Sequence, residues 1–285
     1  MSELLKLMKP FVIEIDGIIG VGKTTFIETF LVPELEKLNY EVVVIKEPVE
    51  QWGKILPLFY SDPSRYSYLF QTMAFHDRVR EGQKIWKEYI DDNGNIINNN
   101  NCTFCTFDGK DNKDNGIIFI SERGVLTDTL FMKTLYEFKN VTDLEMESYW
   151  KWWNMWNEIL PYKIDLYLYL CADIDTIMSR VKSRSRDGEE GVSKEYQLVL
   201  KKYHDDTFIN DDYFHKSMLI DITEDYRTNI DKKTIILNNI LSKIRCGNNK
   251  NVNVEAIIIY NLQFGIGIFM IFVVGMIYYI VSNYI

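Results

Sequence analysis

The segment FVIEIDGIIGVGKTT, residues Phe11 to Thr25, decides the fold of this 285-residue chain. Phe11 to Asp16 is a short apolar run with β-branched residues, which is typical of a buried strand, and helix-forming sequence follows from Gly22 onward. Between them, Gly17 to Thr24 matches the pattern G-x-x-x-x-G-K-[ST] in full. The segment therefore predicts a strand, a glycine-rich loop that binds phosphate groups, and a helix, in that order.

The chemistry of this loop indicates a nucleoside triphosphate and a metal ion. Backbone N–H groups of the loop surround the phosphates, and the N-terminus of the following helix favours negative charge. Lys23 is expected to bridge the β- and γ-phosphates, which makes it a candidate catalytic residue, and the Thr24 hydroxyl is expected to bind Mg²⁺. ATP and Mg²⁺ are therefore expected. The predicted ATP-binding residues of the loop are Gly17, Ile18, Ile19, Gly20, Val21, Gly22, Lys23, Thr24 and Thr25.

Four further short apolar runs predict the remaining strands of a sheet. They are Glu41 to Ile45, Ile117 to Ile120, Leu166 to Leu170 and Met218 to Ile220. Longer helical stretches separate them, which is the pattern of buried parallel strands with crossover helices. The predicted fold class is α/β, a P-loop NTPase-type parallel five-stranded sheet flanked by helices, with a C-terminal hydrophobic helix.

Composition and charge exclude several classes of protein. The formal net charge is -9, which argues against nonspecific binding to DNA or RNA, so no nucleic acid polymer is expected as a partner. The four cysteines lack framework spacing and the N-terminus lacks a signal-peptide core, which indicates a reducing compartment. Cys102 and Cys105 form a C-x-x-C pair without the further ligands that a zinc site requires.

The chain carries an insertion and a tail outside the predicted sheet. Asp91 to Gly116 is rich in Asn, Asp and Gly without a hydrophobic period, which predicts a flexible surface insertion. Ala256 to Ile285 contains no charged residue, and Phe264 to Val281 is almost continuously apolar, long enough to cross about 30 Å of hydrocarbon. The tail is therefore expected to be a membrane anchor, and the alternative is a buried C-terminal helix packed on the domain.

Basic residues before the tail suggest its orientation. Lys243, Arg245 and Lys250 precede the apolar run, and the residues after it are uncharged. The positive-inside rule then keeps the catalytic domain on the cytosolic side of the membrane. The expected domains are 1–246 for catalysis, with the insertion at 91–116, a linker at 247–255, and the hydrophobic tail at 256–285.

Three segments near predicted strand ends carry the residues that would select the phosphate acceptor. Open α/β sheets bind their ligands at this edge. Glu47 to Trp52 (EPVEQW) follows the second strand, and Tyr68 to Thr72 (YLFQT) opens a helix that continues through Arg78. Glu122-Arg123-Gly124, followed by Asp128, leaves the third strand.

These segments, in this order and with this loop, resemble the deoxycytidine, deoxyguanosine and mitochondrial-type thymidine kinase family. The resemblance covers roughly Pro10 to Ser242. It implies a nucleotide-salvage enzyme that moves the γ-phosphate of ATP onto the 5′-hydroxyl of a deoxynucleoside. The chain departs from the family in its Asn-rich insertion, in the short connection from Glu50 to Tyr60, and at Gly124, where many relatives have Ser.

The resemblance also implies roles in phosphoryl transfer. Glu47 would lie beside the substrate 5′-hydroxyl as the preferred general base, with Arg123 holding that oxygen and the phosphates. Glu122 would serve Mg²⁺ through water or share the role of base, so both assignments stay open. Arg180 and Arg184, one turn apart in a basic cluster, resemble the family's lid, where they would bind the transferring phosphates. The predicted catalytic residues are Glu47, Glu122, Arg123, Lys23 and Arg180, and the metal site is Thr24 with Glu122.

The implied nucleoside site uses polar and aromatic side chains. Tyr60 and Glu189 resemble the pair that binds the sugar 3′-hydroxyl, and Tyr60 would leave little room for a 2′-hydroxyl. Gln71 would bind the base edge, with apolar walls from Phe70, Phe131 and Trp52. Arg78 and Asp128 resemble a charged pair deeper in the pocket. Because an ionised Asp only accepts hydrogen bonds, the pair favours deoxycytidine, deoxyadenosine or deoxyguanosine over thymidine. The alternatives are a packing tyrosine at position 60 and a helix-surface salt bridge between Arg78 and Asp128.

Two further segments complete the predictions. Asp221 to Tyr226, with Glu224, Asp225 and Tyr226, resembles the loop that contacts adenine. The predicted helix from Met146 to Ile159 contains four tryptophans, which indicates core or dimer packing. Because relatives in the family are dimers, a homodimer is expected.

Two other functions remain open at this point. A thymidylate-type nucleoside monophosphate kinase shares the phosphate-binding loop and an arginine-rich lid, but the carboxylate of Glu47 would repel a substrate phosphate. A membrane-tethered nucleotide-binding switch without turnover would have no need of Glu47, Glu122 and Arg123. Phosphate transfer to a free nucleoside would distinguish the three.

Overall fold

The computed structural model describes residues 9–97, 116–184, 191–210 and 213–249. Its centre is a five-stranded sheet with the order β2-β3-β1-β4-β5, and all neighbouring strands run parallel. The strands are β1 (Phe11–Asp16), β2 (Glu41–Ile45), β3 (Ile117–Glu122), β4 (Leu166–Cys171) and β5 (Ser217–Asp221). The predicted α/β class with a parallel five-stranded sheet is confirmed.

Helices flank this sheet. They are α1 (Lys23–Phe26), α2 (Val32–Lys37), α3 (Leu56–Ser61), α4 (Pro63–Tyr89), α5 (Val125–Glu137), α6 (Asp143–Ile159), α7 (Ile174–Arg184), α8 (Lys194–Asp205) and α9 (Ile230–Asn249). A π-helical segment, Ile27–Leu31, joins α1 to α2, and a second one, Asp206–Asn210, follows α8. Short 3₁₀ segments lie at Val49–Trp52, Phe214–Lys216 and Tyr226–Thr228.

Strand β1 is the middle of the sheet, and all of its residues are buried. Ile13 and Ile15 are fully buried there, as is Phe119 in β3. Strand β3 continues past the predicted end at Ile120 through Ser121 and Glu122, which are polar but buried. Glu122 is therefore the last residue of β3, and it pairs with Ile15 near the end of β1, where the phosphate-binding loop begins.

Helix α4 brings two predicted site residues to one face. The Asp62 side chain caps its N-terminus by accepting from the backbone N–H of Arg65. The helix begins at Pro63, before the predicted start at Tyr68, and continues through Arg78 as expected to Tyr89. Gln71 and Arg78 lie seven residues apart, which is about two turns of an α-helix. Their side chains therefore point in nearly the same direction.

The insertion begins with a defined turn. Oδ1 of Asp91 accepts from the backbone N–H groups of Asn93 at 2.9 Å and Asn95 at 2.7 Å, and Ile90 pairs with Ile96 in an antiparallel bridge. The remainder of the insertion, residues 98–115 with Cys102 and Cys105, lies outside the described residues. The expected flexibility of that part stays a prediction.

The chain divides into two units, Met1–Ile240 and Leu241–Ile285. Of the second unit the structure describes only residues 241–249. Most of the linker expected at 247–255 lies outside the described residues. All of the hydrophobic tail expected at 256–285 lies outside them too. No helix within the described residues is long and apolar enough to span a membrane.

Candidate active site

A cavity of about 660 Å³ lies at the carboxyl ends of the strands. This volume is in the range of cavities that hold small-molecule ligands. The cavity brings together fourteen of the residues singled out in the sequence: Ile19, Gly20, Lys23, Thr24, Glu47, Trp52, Tyr60, Phe70, Gln71, Arg78, Glu122, Arg123, Phe131 and Arg184. The cavity is thus lined by residues that follow strands β1, β2 and β3, together with residues of helix α4 and the end of α7.

The phosphate-binding loop needs glycine for steric reasons. Gly17 and Gly20 have positive φ angles, and a Cβ atom at Gly17 would lie 2.5 Å from the carbonyl oxygen of Leu170. The ammonium group of Lys23 lies inside the loop, where it donates to the carbonyl oxygens of Gly17 at 3.2 Å and Ile18 at 3.3 Å. Burial, followed by the nearby guanidinium of Arg123, lowers the pKa of Lys23 to about 7. A phosphate beside it would favour the charged form.

Glu47 lies between two guanidinium groups. Its Oε1 accepts from Nε of Arg78 at 3.2 Å and from Nη2 at 2.6 Å, and its Oε2 lies 3.8 Å from Nε of Arg123. Burial would raise the pKa of Glu47, but Arg123, Arg78 and Lys23 outweigh burial and hold it at about 2. Glu47 is therefore an ionised carboxylate at neutral pH, able to accept a hydrogen bond from a hydroxyl group.

Arg123 has an unusual backbone conformation and, among the described residues, an unpaired hydrogen-bond donor. Its φ angle is 65°, in the left-handed region that non-glycine residues rarely adopt. Its Nη2 donates to the carbonyl oxygen of Gly17 at 3.1 Å, and its guanidinium lies 4.5 Å from the ring centroid of Phe131. Within the described residues, its buried Nε has no hydrogen-bond partner. Strained backbone and unpaired buried donors are both concentrated at functional sites.

Thr24 and Glu122, the expected metal site, are in contact. The hydroxyl of Thr24 donates to Oε1 of Glu122 at 2.8 Å. A hydroxyl and a carboxylate are the hard oxygen ligands that Mg²⁺ prefers, and this ion takes few protein ligands beside substrate phosphates and water. The residues therefore fit Mg²⁺. No group of three or more His, Cys, Asp and Glu suited to a metal occurs in the part of the chain that the structure describes.

Asp128 lies one layer behind the cavity wall. It is fully buried and is absent from the lining, whereas Gln71 and Arg78 face the cavity. Its Oδ1 accepts from Nε2 of Gln71 at 2.6 Å and from Nη1 of Arg78, and its Oδ2 accepts from the hydroxyl of Tyr149 at 2.7 Å. The ion pair of Arg78 and Asp128 is thus buried, which excludes the alternative of a helix-surface salt bridge.

Aromatic side chains form the apolar wall. The rings of Phe59 and Phe70 stack with centroids 4.9 Å apart, and Trp52 meets Phe70 edge-on at 5.7 Å. Tyr60 packs on this cluster and lines the cavity. Its predicted partner Glu189 lies outside the described residues.

The lid arginines have different environments. Nη1 of Arg180 donates to the carbonyl oxygen of Val21 at 3.0 Å, and Nη2 to that of Ile222 at 2.8 Å. Arg180 therefore holds backbone carbonyls and does not line the cavity, whereas Arg184 does. The one-turn spacing alone suggested the same environment for both.

The adenine-loop residues also lie outside the cavity lining. Glu224 is exposed, and Asp225 accepts from the guanidinium and the backbone N–H of Arg227. Tyr226 is buried, and its ring lies 5.5 Å from that of Phe26 in helix α1. Their predicted contact with ATP stays a prediction.

A comparison with known families agrees with this geometry. A family model described as "Deoxynucleoside kinase" matches residues 13–245. The chain belongs to the deoxynucleoside kinase family. It is an ATP-dependent deoxynucleoside kinase. Of the three functions considered from the sequence, the deoxynucleoside kinase is therefore confirmed.

Curated relatives of the kinase lead to the same family. A fowlpox virus protein named "Probable deoxycytidine kinase FPV151" is 30% identical over 234 residues, which cover 80% of this chain and 86% of that protein. Deoxycytidine kinase 1 of Xenopus laevis is 25% identical over 260 residues, covering 80% and 88%. Deoxycytidine kinase of Homo sapiens is 25% identical over 246 residues, covering 75% and 85%.

Several residues of the kinase site were not predicted. Leu56, Phe59 and Tyr196 line the cavity. Leu56, Phe59 and Tyr60 follow a helical i, i+3, i+4 spacing, so a search for an amphipathic helix in the short connection could have found the first two. Tyr196 carries no such signal.

Gln197, next to Tyr196, holds the phosphate-binding loop of the kinase. Its side-chain amide accepts from the backbone N–H of Ile19 at 3.3 Å and donates to the Ile19 carbonyl oxygen. The glutamine is fully buried. Its partner lies 178 residues away, so nothing local in the sequence indicates the contact.

Proposed function

We propose that this kinase transfers the γ-phosphate of ATP to the 5′-hydroxyl of a deoxynucleoside with an amino-bearing base. Deoxycytidine or a purine deoxynucleoside would be preferred over thymidine. The observation that carries this preference is the hydrogen bond from Nε2 of Gln71 to Asp128. A carboxylate accepts hydrogen bonds, so the amide NH₂ of Gln71 faces Asp128 and its Oε1 is left for the base.

The orientation of Gln71 would select the base edge. An exocyclic amino group donates to an amide oxygen, whereas a carbonyl oxygen at the same place would leave two acceptors facing each other. The names of the relatives support this preference, since the fowlpox, Xenopus and human proteins are deoxycytidine kinases by name. Tyr60 would limit the space beside the sugar and so favour deoxyribose over ribose.

Glu47 is the proposed general base. Two arginines keep it ionised, and phosphoryl transfer through a loose transition state needs a positioned carboxylate that takes the hydroxyl proton late. The unpaired Nε of Arg123, 3.8 Å from Glu47, would donate to the acceptor oxygen or to the transferring phosphate. Glu122, which already accepts from Thr24, is the better candidate for Mg²⁺.

Mg²⁺, when bound, would neutralise the charge that develops on the phosphate oxygens. Thr24 and Glu122 would hold it, with water and the substrate phosphates as the other ligands. Lys23 would bind the phosphates from inside the loop. Arg184, which lines the cavity at the end of helix α7, would close over them.

We also propose a homodimer formed by helices α4 and α6. Large apolar side chains remain exposed on both helices, namely Leu69, Met73, Trp152, Met155 and Ile159. His76 of α4 and Trp152 of α6 have ring centroids 5.8 Å apart, so the exposed groups belong to adjacent helices. An apolar patch of this kind on a protein surface marks an interaction site.

From the sequence alone we further propose that residues 1–246 form the catalytic domain, 247–255 a linker and 256–285 a membrane anchor with the catalytic domain on the cytosolic side. The uncharged stretch of the tail supports this proposal. Membrane fractionation of the full chain beside a chain ending at Asn249 tests it. Recovery of both in the supernatant contradicts an anchor.

Phosphate transfer from ATP tests the proposed substrate preference. Deoxycytidine, deoxyadenosine, deoxyguanosine, thymidine and deoxythymidine monophosphate are offered in parallel to the chain ending at Asn249. The highest kcat/KM is expected for an amino-bearing deoxynucleoside. A preference for thymidine would overturn the base preference alone, and a preference for the monophosphate would overturn the proposed acceptor.

A further inference from the structure

Tyr149 is a buried tyrosine that contacts Asp128, the residue behind Gln71 in the cavity wall. It lies on helix α6 with 1% of its surface exposed, and it does not line the cavity. Its hydroxyl donates to Oδ2 of Asp128 at 2.7 Å. The hydroxyl is the one polar atom of the Tyr149 side chain. It therefore bonds to the same carboxylate that accepts from Gln71.

The three donors around Asp128 divide its two oxygens unequally. Oδ1 receives Gln71 and Arg78, and Oδ2 receives Tyr149. The last torsion of an aspartate side chain is soft and roughly two-fold, so it does not by itself distinguish the two oxygens. The hydroxyl of Tyr149 holds Oδ2 on the side of helix α6 and thereby leaves Oδ1 for Gln71.

We propose that Tyr149 is a positioning residue for base specificity: by holding Oδ2 of Asp128, it fixes the position and angle at which the Gln71 amide faces the base. This inference rests on the proposed use of the cavity for a deoxynucleoside. It adds to that proposal a residue that touches neither the base nor the sugar and acts through Asp128.

Loss of the hydroxyl would redistribute the donors. Without Tyr149, Oδ2 would be a buried acceptor with no partner, which is costly. The other side-chain donors to Asp128 are Gln71 and Arg78, both of which line the cavity. A rotation of the carboxylate toward an even sharing of these donors would shift the amide of Gln71, whose NH₂ still faces Asp128, and so change the distance and angle between its Oε1 and the base edge.

A purely structural role for Tyr149 predicts a different result. Its ring packs 5.5 Å from Trp150 and 5.9 Å from Phe75, and Tyr149→Phe keeps these contacts. Tyr68→Phe is a matched control, because the hydroxyl of Tyr68 also bridges helices α4 and α6, donating to Oγ of Ser148 at 2.9 Å. That bond is independent of Asp128.

The test is the ratio of kcat/KM for deoxycytidine to that for thymidine in the full chain, Tyr149→Phe and Tyr68→Phe. We expect Tyr149→Phe to change this ratio by about tenfold, the size expected from one hydrogen bond to a charged group. We expect KM for ATP to change by less than about twofold, since neither Tyr149 nor Asp128 contacts a residue of the phosphate-binding loop directly among the hydrogen bonds of the described residues. Tyr68→Phe should leave the ratio as it is.

Two outcomes overturn the inference: an unchanged ratio in Tyr149→Phe, or the same change in Tyr68→Phe. If Tyr149→Phe fails to fold, Tyr149→Met replaces it, because it also removes the hydroxyl and its flexible side chain adapts to the space left by the ring; an unchanged ratio in that variant also overturns the inference. A wild-type preference for thymidine would remove the proposed base preference, yet a shift of the ratio in Tyr149→Phe would still support the role of Tyr149.

Discussion

The carboxylate of Glu14 fills the space that a side chain at Gly124 would need. A Cβ atom built on Gly124 would lie 2.1 Å from Oε2 of Glu14. Gly124 is in extended backbone, so a side chain here would overlap the end of the Glu14 side chain without straining the backbone. Glu14 itself is buried in β1 and accepts from the hydroxyl of Thr127 at 3.0 Å. Because Gly124 follows Arg123 directly, this contact supports the turn that presents the arginine to the cavity.

A substitution of Gly124 should therefore depend on the residue at position 14. We expect Gly124→Ser alone to destabilise the fold by about 1 to 3 kcal/mol, as overpacked cores do, and to lower kcat by displacing Arg123. Glu14→Ser in the same chain should restore part of both losses, because it removes the overlapping carboxyl group, although it also leaves a cavity. Thermal unfolding and steady-state kinetics of the two single variants and the double variant measure the coupling. Purely additive losses would show that the contact does not matter.

Glu14 should also give the kinase a distinctive dependence of stability on pH. Burial, and then the charge of Asp16, raises the pKa of Glu14 to about 8 from an ordinary value of 4.5. The folded state therefore retains a proton that the unfolded chain loses. The contribution of Glu14 to stability is full below pH 4.5 and is lost progressively until the pH has risen through about 8.

Glu14→Gln, which resembles the protonated acid at all pH values, should flatten this dependence. We expect the slope of unfolding free energy against pH to change by at most about 1.4 kcal/mol per pH unit between the two pKa values. Chemical denaturation at several pH values between 5 and 9 measures it. Glu47→Gln is the opposite case, because the lowered pKa of Glu47 gives stability that is lost as the pH falls from 4.5 toward 2.

Glu47 and Glu122, which both line the cavity, should respond differently to the same change. We expect Glu47→Gln to lower kcat by about 10²- to 10⁴-fold, the usual contribution of a general base, with little change in KM for ATP. Glu122→Gln should instead raise the Mg²⁺ concentration needed for half-maximal rate, because it replaces a charged oxygen ligand by a neutral one. Rate measurements across a Mg²⁺ titration distinguish the variants. If excess Mg²⁺ rescues Glu47→Gln and not Glu122→Gln, the two assignments are reversed.

A charge on the exposed face of helix α6 should prevent dimerisation. We expect Met155→Glu, at a residue 40% exposed, to yield a monomer, since burying an unpaired carboxylate in an apolar interface is unfavourable. Sedimentation velocity of the wild type and the variant measures this. Leu144→Glu, at a residue 75% exposed near the start of the same helix, is a comparison for the effect of charge alone. A monomeric wild type would contradict the proposed interface.

The strands were predictable because buried parallel strands are short apolar runs. Glu41–Ile45 and Phe11–Asp16 begin and end where the apolar pattern does. The pattern failed at β3, where Ser121 and Glu122 continue the strand although they are polar, because the sheet buries its last residues under the cavity.

Side-chain directions were less predictable than positions. Arg180 and Arg184 stand one turn apart, yet only Arg184 lines the cavity, since carbonyl oxygens of Val21 and Ile222 hold Arg180. Asp128 has a place behind Gln71 because Tyr149, from a separate helix, holds it there. Such placements depend on contacts between residues distant in sequence, which motif spacing does not contain.

Arg78 connects two tasks of the enzyme through a single rigid group. One guanidinium is bonded to Glu47 on one side and to Asp128 on the other. A nucleoside analogue with a bulky base modification that shifts Arg78 would therefore also shift Glu47, the proposed general base. We expect such analogues to be poor substrates even when they bind tightly, so that affinity alone would be a misleading guide in choosing compounds for this kinase to activate.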